Sequence, residues 1–351
     1  MDDFMTREEM WAIPAREISD PARLAAEPMV SVLMMTYNHE PLIAEAIRGV
    51  VEQECDFAVE LLIGEDCSTD RTREICEAYQ KRYPHIVRLV VSDANIKRRG
   101  NFARICARAR GRYVALCEGD DRWVNPRKLA RQVSLLEEHP ESAMCFAIAH
   151  KRRWAEGRLE FVCEIAPPVL KPAYDFVDFR DYIAHTSTVV VRETAYRLPR
   201  WFFDLDHGDT PLYLLCADQG PVLFLNELVS YWIDHGGGIW TGMHSTVRRQ
   251  EMHLKTWETF FRNWKPERRR FFADLASEAA RVLTIATFDE GDLAAARAYH
   301  RKAVCYFLRA PSPAPVRTLV MNQFRLYWPW AHRALKRAAK RLGCAGKSGV
   351  A

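Results

Sequence analysis

Tyr113-Val114-Ala115-Leu116-Cys117-Glu118-Gly119-Asp120-Asp121-Arg122-Trp123 is an apolar run that stops at three carboxylates within four positions. A buried strand that ends this way points its acids out of the carboxyl edge of a sheet, where open α/β sheets place their ligands. Carboxylates this close repel one another unless a cation lies between them, and a hard divalent ion such as Mg²⁺ or Mn²⁺ suits oxygen donors. The same acids could instead cap the helix that follows Asn125-Pro126, so this stretch alone leaves both readings open.

Working outward, apolar runs and helical patterns alternate on both sides. Val30–Asn38, Phe57–Gly64, Ile86–Ser92 and Ala143–Ala149 read as further strands. Helical spacing follows most of them. Leu42, Ile43, Ala46, Ile47 and Val50 share one face, Ser68, Thr69 or Asp70 can cap a helix through Tyr79, and Asn101–Ala109 and Arg127–Glu138 continue the series. This alternation predicts an α/β fold, a Rossmann-like and largely parallel sheet with helices on both faces. Right-handed crossovers put the ends of the first, second and fourth strands on one rim.

Beyond Lys151 the pattern loosens. A proline-bearing segment leads to a short helix near Asp181, a strand over Ser187–Arg192, a helix from Asp209 to Asp218 and an extended run from Pro221 to Ile233. That run enters His235-Gly236-Gly237-Gly238, where the backbone must bend sharply or approach a ligand closely. Residues 1–28 read as a lead-in of short helical pieces, 29–244 as the main domain and 245–351 as a helical, basic C-terminal region. Charge marks the last boundary. Residues 245–351 hold 21 Lys and Arg against 8 Asp and Glu, whereas residues 1–244 hold 29 against 38.

The chain of 351 residues is 48% hydrophobic, enough for a large core. Its acidic start shows no signal-peptide pattern, and no run of about 18 uncharged apolar residues suggests a membrane span. Ten cysteines without CxxC spacing argue for reduced thiols in a cytoplasmic protein rather than a disulfide framework or a zinc site.

Three pieces then carry a family resemblance: Val32-Leu33-Met34-Met35-Thr36-Tyr37-Asn38, Gly64-Glu65-Asp66-Cys67-Ser68-Thr69-Asp70, and Glu118-Gly119-Asp120-Asp121-Arg122-Trp123. Their order and spacing resemble the GT-A domain of glycosyltransferase family 2 over residues 29–150. Gly208-Asp209-Thr210-Pro211 and His235-Gly236-Gly237-Gly238-Ile239-Trp240 extend the likeness to about residue 244.

The resemblance implies an inverting, metal-dependent transfer of a sugar from a nucleotide-diphosphate donor, UDP-linked by expectation, to a glycan or lipid-linked hydroxyl in bacterial surface polysaccharide synthesis. Thr36, Tyr37 and Asn38 would line the donor site, with Tyr37 against the base and Asp66 accepting from a uracil imide. Lys97, Arg98 and Arg99 would reach the diphosphate or form a solvated basic loop. Glu118 and Asp120 would face the ribose and metal, Asp121 would be the best single ligand of Mn²⁺ or Mg²⁺, and His235 would join it. Trp240 would pack on the sugar or plug the core.

Asp209 would be the general base, or else a helix N-cap, with Asp204 and Asp206 close enough to compete. In place of a frequent Tyr-Arg pair, the chain has Tyr231-Trp232 before the histidine region. Rival readings are a catalytically silent donor-binding scaffold and a nucleotidyltransferase, although Thr36-Tyr37-Asn38-His39-Glu40 lacks the glycine-rich loop of the latter. The acid-free basic run from Leu293 onward suits either the anionic inner face of the cytoplasmic membrane or a helical cap or homodimer contact. No nucleic-acid recognition module accompanies it.

Overall fold

The structure is a computed structural model, and it describes residues 4–155, 158–180, 183–196, 198–237, 245–310 and 313–327. Trp240, the residue at 181 and the basic segment 328–351 lie outside the described residues. Backbone contacts divide the chain into two compact units, residues 2–242 and 243–351.

The first unit is built on one sheet. Its strands are β1 (Arg16–Ile18), β2 (Val30–Thr36), β3 (Val59–Glu65), β4 (Val87–Val91), β5 (Tyr113–Leu116), β6 (Arg122–Trp123), β7 (Met144–Ala155), β8 (Arg158–Ile165), β9 (Ala173–Tyr174), β10 (Val190–Arg192) and β11 (Val222–Asp234). The order is β1-β4-β3-β2-β5-β10-β7-β11-β6, with β8 beside β7 and β9 beside β11. The block β4-β3-β2-β5 is parallel, and β7 pairs β11 in parallel. Between these blocks β10 runs antiparallel to both β5 and β7. The sheet is therefore mixed and mostly parallel.

Helices α1 (Arg7–Trp11), α2 (Ile43–Val51), α3 (Thr72–Arg82), α4 (Lys97–Cys106), α5 (Lys128–Glu138) and α6 (Asp209–Ala217) belong to this unit. The predicted apolar stripe of α2 is buried at Ile43, Ala46, Ile47 and Val50. It packs in one core with Val30, Val32 and Met34 from β2 and Leu61 and Ile63 from β3. Burying each such side chain contributes roughly 1.5–3 kcal/mol, which fixes the helix on the sheet.

The lead-in holds a strand as well as a helix. A reciprocal capping box between Thr6 and Glu9 starts α1, and β1 then closes the sheet edge antiparallel to β4. The helix expected from Asn101 begins at Lys97, because the Asn95 side chain accepts from the Lys97 amide at 3.0 Å. The expected strand at Ser187 is shorter, since Thr186–Thr188 forms a 3₁₀ turn ahead of β10. The pairing of β8 with β7 was not anticipated, because the burial along β8 is largely exposed and gives no apolar run.

Lys128 sits fully buried in the first turn of α5, its Nζ 4.1 Å from the centre of the Trp123 ring. Among the described residues Nζ has no hydrogen-bond partner. Burial pushes this amine down to about 7 from its usual 10.5. Between those values the unfolded chain keeps a proton that the folded chain lacks, so stability rises with pH across this window. Replacing the amine with an isosteric apolar group removes the burial cost. Lys128→Met is expected to raise stability at pH 7 by on the order of 1–3 kcal/mol and to flatten its rise toward pH 10. Thermal unfolding of both forms from pH 7 to 10 measures this, and parallel pH profiles contradict it.

The second unit contains α7 (Thr246–Asn263), α8 (Pro266–Asp289), α9 (Leu293–Phe307) and α10 (Pro313–Tyr327). Phe260 anchors an aromatic cluster here, with its ring 4.9 Å from Trp264 and 5.0 Å from Phe272. Among the described residues no helix is long and apolar enough to cross a membrane.

Candidate active site

The carboxyl ends of β2, β3 and β5 form one rim because their registers align, with Thr36 opposite Glu65 and Leu33 opposite Leu116. Backbone bonds extend the alignment past the strands. The Asp66 amide donates to Thr36 O at 3.1 Å and the Gly119 amide to Met35 O at 2.9 Å. Asn38 then joins two rim loops: its amide donates to Ser68 Oγ at 3.0 Å, and its side chain accepts from the Thr69 amide at 2.8 Å.

Among the described residues, three other than glycine adopt positive φ, and all lie on this rim: Asn38 at 55°, Cys67 at 60° and Lys97 at 66°. Such conformations cost free energy and persist where the surroundings over-determine them, as functional loops do.

His235 arrives from the opposite side of the sheet. Strand β11 pairs antiparallel with β6, setting Ser230 against Trp123 and Tyr231 against Arg122. The chain leaving β11 thereby meets the chain entering β6. His235 Nε2 lies 3.1 Å from Asp120 Oδ2, and His39 Nε2 lies 3.9 Å from the same oxygen. One ligand atom from each of His39, Asp120 and His235 falls within 4.8 Å of the other two, a grouping that fits a metal ion.

Electrostatics separates these acids from the sheet's structural acids. Glu60, buried at the far end, is paired with Arg88 at 2.9 Å and Arg110 at 2.7 Å, and Glu65 is held by Arg73 at 2.5 Å. The rim acids have weaker compensation. Burial, followed by repulsion from Asp120, pushes Glu118 up to about 8 despite the nearby Arg98. Burial and the charges of Asp120 and Glu118 raise Asp121 well above the carboxylate range. Burial also acts on Asp120, but the His235 hydrogen bond and the charges of His39 and His235 hold it below the ordinary value. Closely set carboxylates with this imbalance characterise sites that receive a cation or a substrate.

Gly119 is required by close approach. A Cβ there would stand 2.7 Å from Thr36 Oγ1 and 3.0 Å from His39 Nδ1. Gly119→Ala is therefore expected to displace the Glu118–Asp120 turn, costing about 1–3 kcal/mol of stability. Thermal unfolding of both forms reads the loss, and a variant as stable as the parent contradicts the packing argument.

The other sequence-derived candidates divide into groups. Tyr37 is 41% exposed on the rim, open to a planar ligand. Thr36 is buried with Oγ1 3.3 Å from His39 Nδ1. Asp66 is buried, its Oδ1 accepting from the Ile96 amide at 3.0 Å. Lys97 is exposed, and Arg99 is paired with Asp206 at 2.6 Å. Asp206, a competitor for the base, is thus engaged with a cation, while Asp204 is exposed. Asp121 stands apart from the His39, Asp120 and His235 group. It is buried against Ser187 and the Ile233 amide, with Oδ2 3.9 Å from His185 Nδ1.

Asp209 is the first residue of α6, and Gly208 occupies the N-cap position. The Asp209 carboxylate is therefore not a helix cap. It accepts from the adjacent Thr210 amide at 2.9 Å and lies in the electrostatic field that also contains Arg98, Glu118 and His185.

Arg98, expected as one of a basic run reaching the diphosphate, and two residues without an assigned role in the sequence reading enter the site. Arg98, rather than its neighbours, is drawn toward Glu118 and Asp209, and its Nη2 donates to Leu205 O at 3.0 Å. His185 stacks on Trp232 with ring centres 5.2 Å apart, and burial pushes it down to about 4, so it is a neutral imidazole. His39 is the third. Its position immediately after Thr36-Tyr37-Asn38 was the one available signal.

The family model described as Glycosyl transferase family 2 matches residues 31–160. An uncharacterized protein of Mycobacterium tuberculosis is 34% identical over 235 residues, covering 66% of this chain and 64% of that relative. The chain thus spans less than two thirds of that relative's length. The putative teichuronic acid biosynthesis glycosyltransferase TuaG of Bacillus subtilis is 34% identical over 114 residues, covering 32% of this chain and 43% of TuaG.

Two solved structures share the fold. TarS residues 1–349 of S. aureus, in complex with UDP-GlcNAc, matches with a TM-score of 0.53 and 16% identity, over 80% of this chain and 92% of that one. The mannosyltransferase PcManGT of Pyrobaculum calidifontis, in complex with GDP-Man and Mn²⁺, matches with a TM-score of 0.52 and 17% identity, over 92% and 93%. With its strand-end motifs set on one rim of a mixed, mostly parallel sheet, the chain matches glycosyltransferase family 2 over residues 31–160 and has the GT-A fold.

Proposed function

We propose that this protein is a metal-dependent, inverting glycosyltransferase that moves a sugar from a UDP-linked donor to a hydroxyl of a bacterial surface glycan. The observation that carries the reading is the placement of Asp120, flanked by two imidazoles, on the same rim as the exposed Tyr37 and in one electrostatic field with Glu118, Arg98 and Asp209.

In this reading Tyr37 offers its ring to the nucleotide base and Asp66 accepts from the base edge. Glu118 faces the ribose, and Lys97 and Arg99 border the diphosphate. Asp120 and His235 would hold a divalent ion, which when bound neutralises charge on the departing nucleoside diphosphate. Asp209 takes the proton from the acceptor hydroxyl as that oxygen attacks the anomeric carbon from the face opposite the leaving group. Because a single displacement inverts the anomeric centre, one base suffices.

The complexes of the two structural neighbours with UDP-GlcNAc and with GDP-Man and Mn²⁺ support a nucleotide-sugar donor and a metal. The relation to TuaG supports a surface-glycan acceptor. Release of nucleoside diphosphate from a panel of UDP-, GDP- and dTDP-sugars with Mn²⁺, with and without chelator, tests the reading. Turnover that favours a UDP-sugar and stops on chelation agrees with it. Turnover indifferent to the chelator overturns the metal role, and preference for another nucleotide overturns the donor assignment.

A further inference from the structure

The expected ligand beside Asp120 and His235 was Asp121, yet the side chain that meets them is His39. Both imidazole Nε2 atoms face the same Asp120 oxygen, at 3.1 Å for His235 and 3.9 Å for His39, and the two rings meet edge to face with centres 5.7 Å apart. Ligand bonds of roughly 2.0–2.2 Å place neighbouring donor atoms about 3–3.5 Å apart. The three donors lie within 4.8 Å of one another, so small side-chain movements bring them to that separation.

His39 is held for this position. Its other ring nitrogen, Nδ1, lies 3.3 Å from Thr36 Oγ1, and its amide donates to Thr72 Oγ1 at 2.8 Å. A hydrogen-bond partner on the second nitrogen is how metal-binding imidazoles are oriented. The positive φ of Asn38 turns the chain toward the rim immediately before it, and the missing side chain at Gly119 leaves room for the ring. Asp121, by contrast, is engaged by Ser187 and the Ile233 amide beside His185.

We propose that His39, and not Asp121, completes a two-histidine, one-carboxylate metal site with Asp120 and His235, and that this site selects Mn²⁺ and neighbouring first-row ions over Mg²⁺. The inference rests on the reading that this rim holds a metal. Imidazole donors bind first-row transition ions well, whereas Mg²⁺ demands oxygen ligands and gives up its water reluctantly. The choice between Mn²⁺ and Mg²⁺, open from carboxylates alone, is thereby decided by the second imidazole.

The test uses the full chain stripped by chelator and titrated with Mn²⁺ alone. Loss of the free-ion EPR signal reports affinity, and pulsed EPR counts nitrogen ligands. Two imidazole nitrogens are expected for the parent and one for His39→Ala, with Mn²⁺ affinity reduced at least about 10-fold. Asp121→Asn should keep its Mn²⁺ affinity within about 2-fold, and Mg²⁺ at roughly 100-fold excess should not displace Mn²⁺. One nitrogen in the parent, with His39→Ala binding as the parent does, overturns the inference and leaves the metal reading standing. Absence of Mn²⁺ binding by the parent overturns both. Displacement by equimolar Mg²⁺ overturns the selectivity. Should His39→Ala fail to fold, the nitrogen count in the parent still decides.

Discussion

Asp209→Asn is expected to lower kcat by about 10²–10⁴-fold, the contribution of a positioned general base, while leaving donor affinity within about 2-fold of the parent. Asn keeps the shape of the side chain and its oxygen can still accept from the Thr210 amide, so the fold is unaffected. Gly208, not Asp209, stands at the N-cap position of α6, which removes capping as an alternative explanation for an acid here. The acid lies in the field of Arg98 beside Glu118, and Asp206 is paired with Arg99. Steady-state kinetics together with calorimetric donor titration separates the two parameters. Turnover that survives in Asp209→Asn would place the base elsewhere.

Asp120→Asn should be equally severe through a different route. Its carboxylate faces both the His39 and His235 rings, 3.9 and 3.1 Å from their Nε2 atoms. Asn is a neutral and weaker ligand, so Mn²⁺ affinity is expected to fall at least about 100-fold and turnover with it. Excess Mn²⁺ should partly restore activity to Asp120→Asn but not to Asp209→Asn, which separates loss of metal from loss of the base. Equal Mn²⁺ affinity in Asp120→Asn and the parent would remove Asp120 from the metal site.

The α/β architecture could be read from sequence because its signal is local. Val30–Thr36, Val59–Glu65 and Tyr113–Leu116 are mostly apolar strands buried along nearly their whole length, and each leads into polar residues. Antiparallel β10 was harder to foresee. Its three residues carry too short a pattern to reveal whether they join the parallel block or separate it from β7. Strand β8 was missed because its exposed residues lack the alternation that marks a half-buried strand.

The candidate site was legible to the same depth. Glu118, Asp120 and Asp121 share a short stretch, but which acid faces the rim depends on the turn at Gly119 and on packing against Thr36 and Ser187. His39 and His235 meet only because β11 pairs with β6, a long-range contact that no local periodicity encodes. Arg98 was indistinguishable from Lys97 and Arg99 as a charge run. The start of α4 at Lys97 selects it for the acids and leaves Arg99 to Asp206.

The most direct test of a single displacement with Asp209 as its base is the anomeric configuration of the first product. The chain is incubated with a UDP-sugar and Mn²⁺, and the anomeric proton of the released or transferred sugar is followed by ¹H NMR before mutarotation. The account predicts a configuration opposite to that of the donor, formed by the parent and not by Asp209→Asn. A first product with the donor's own configuration would contradict it.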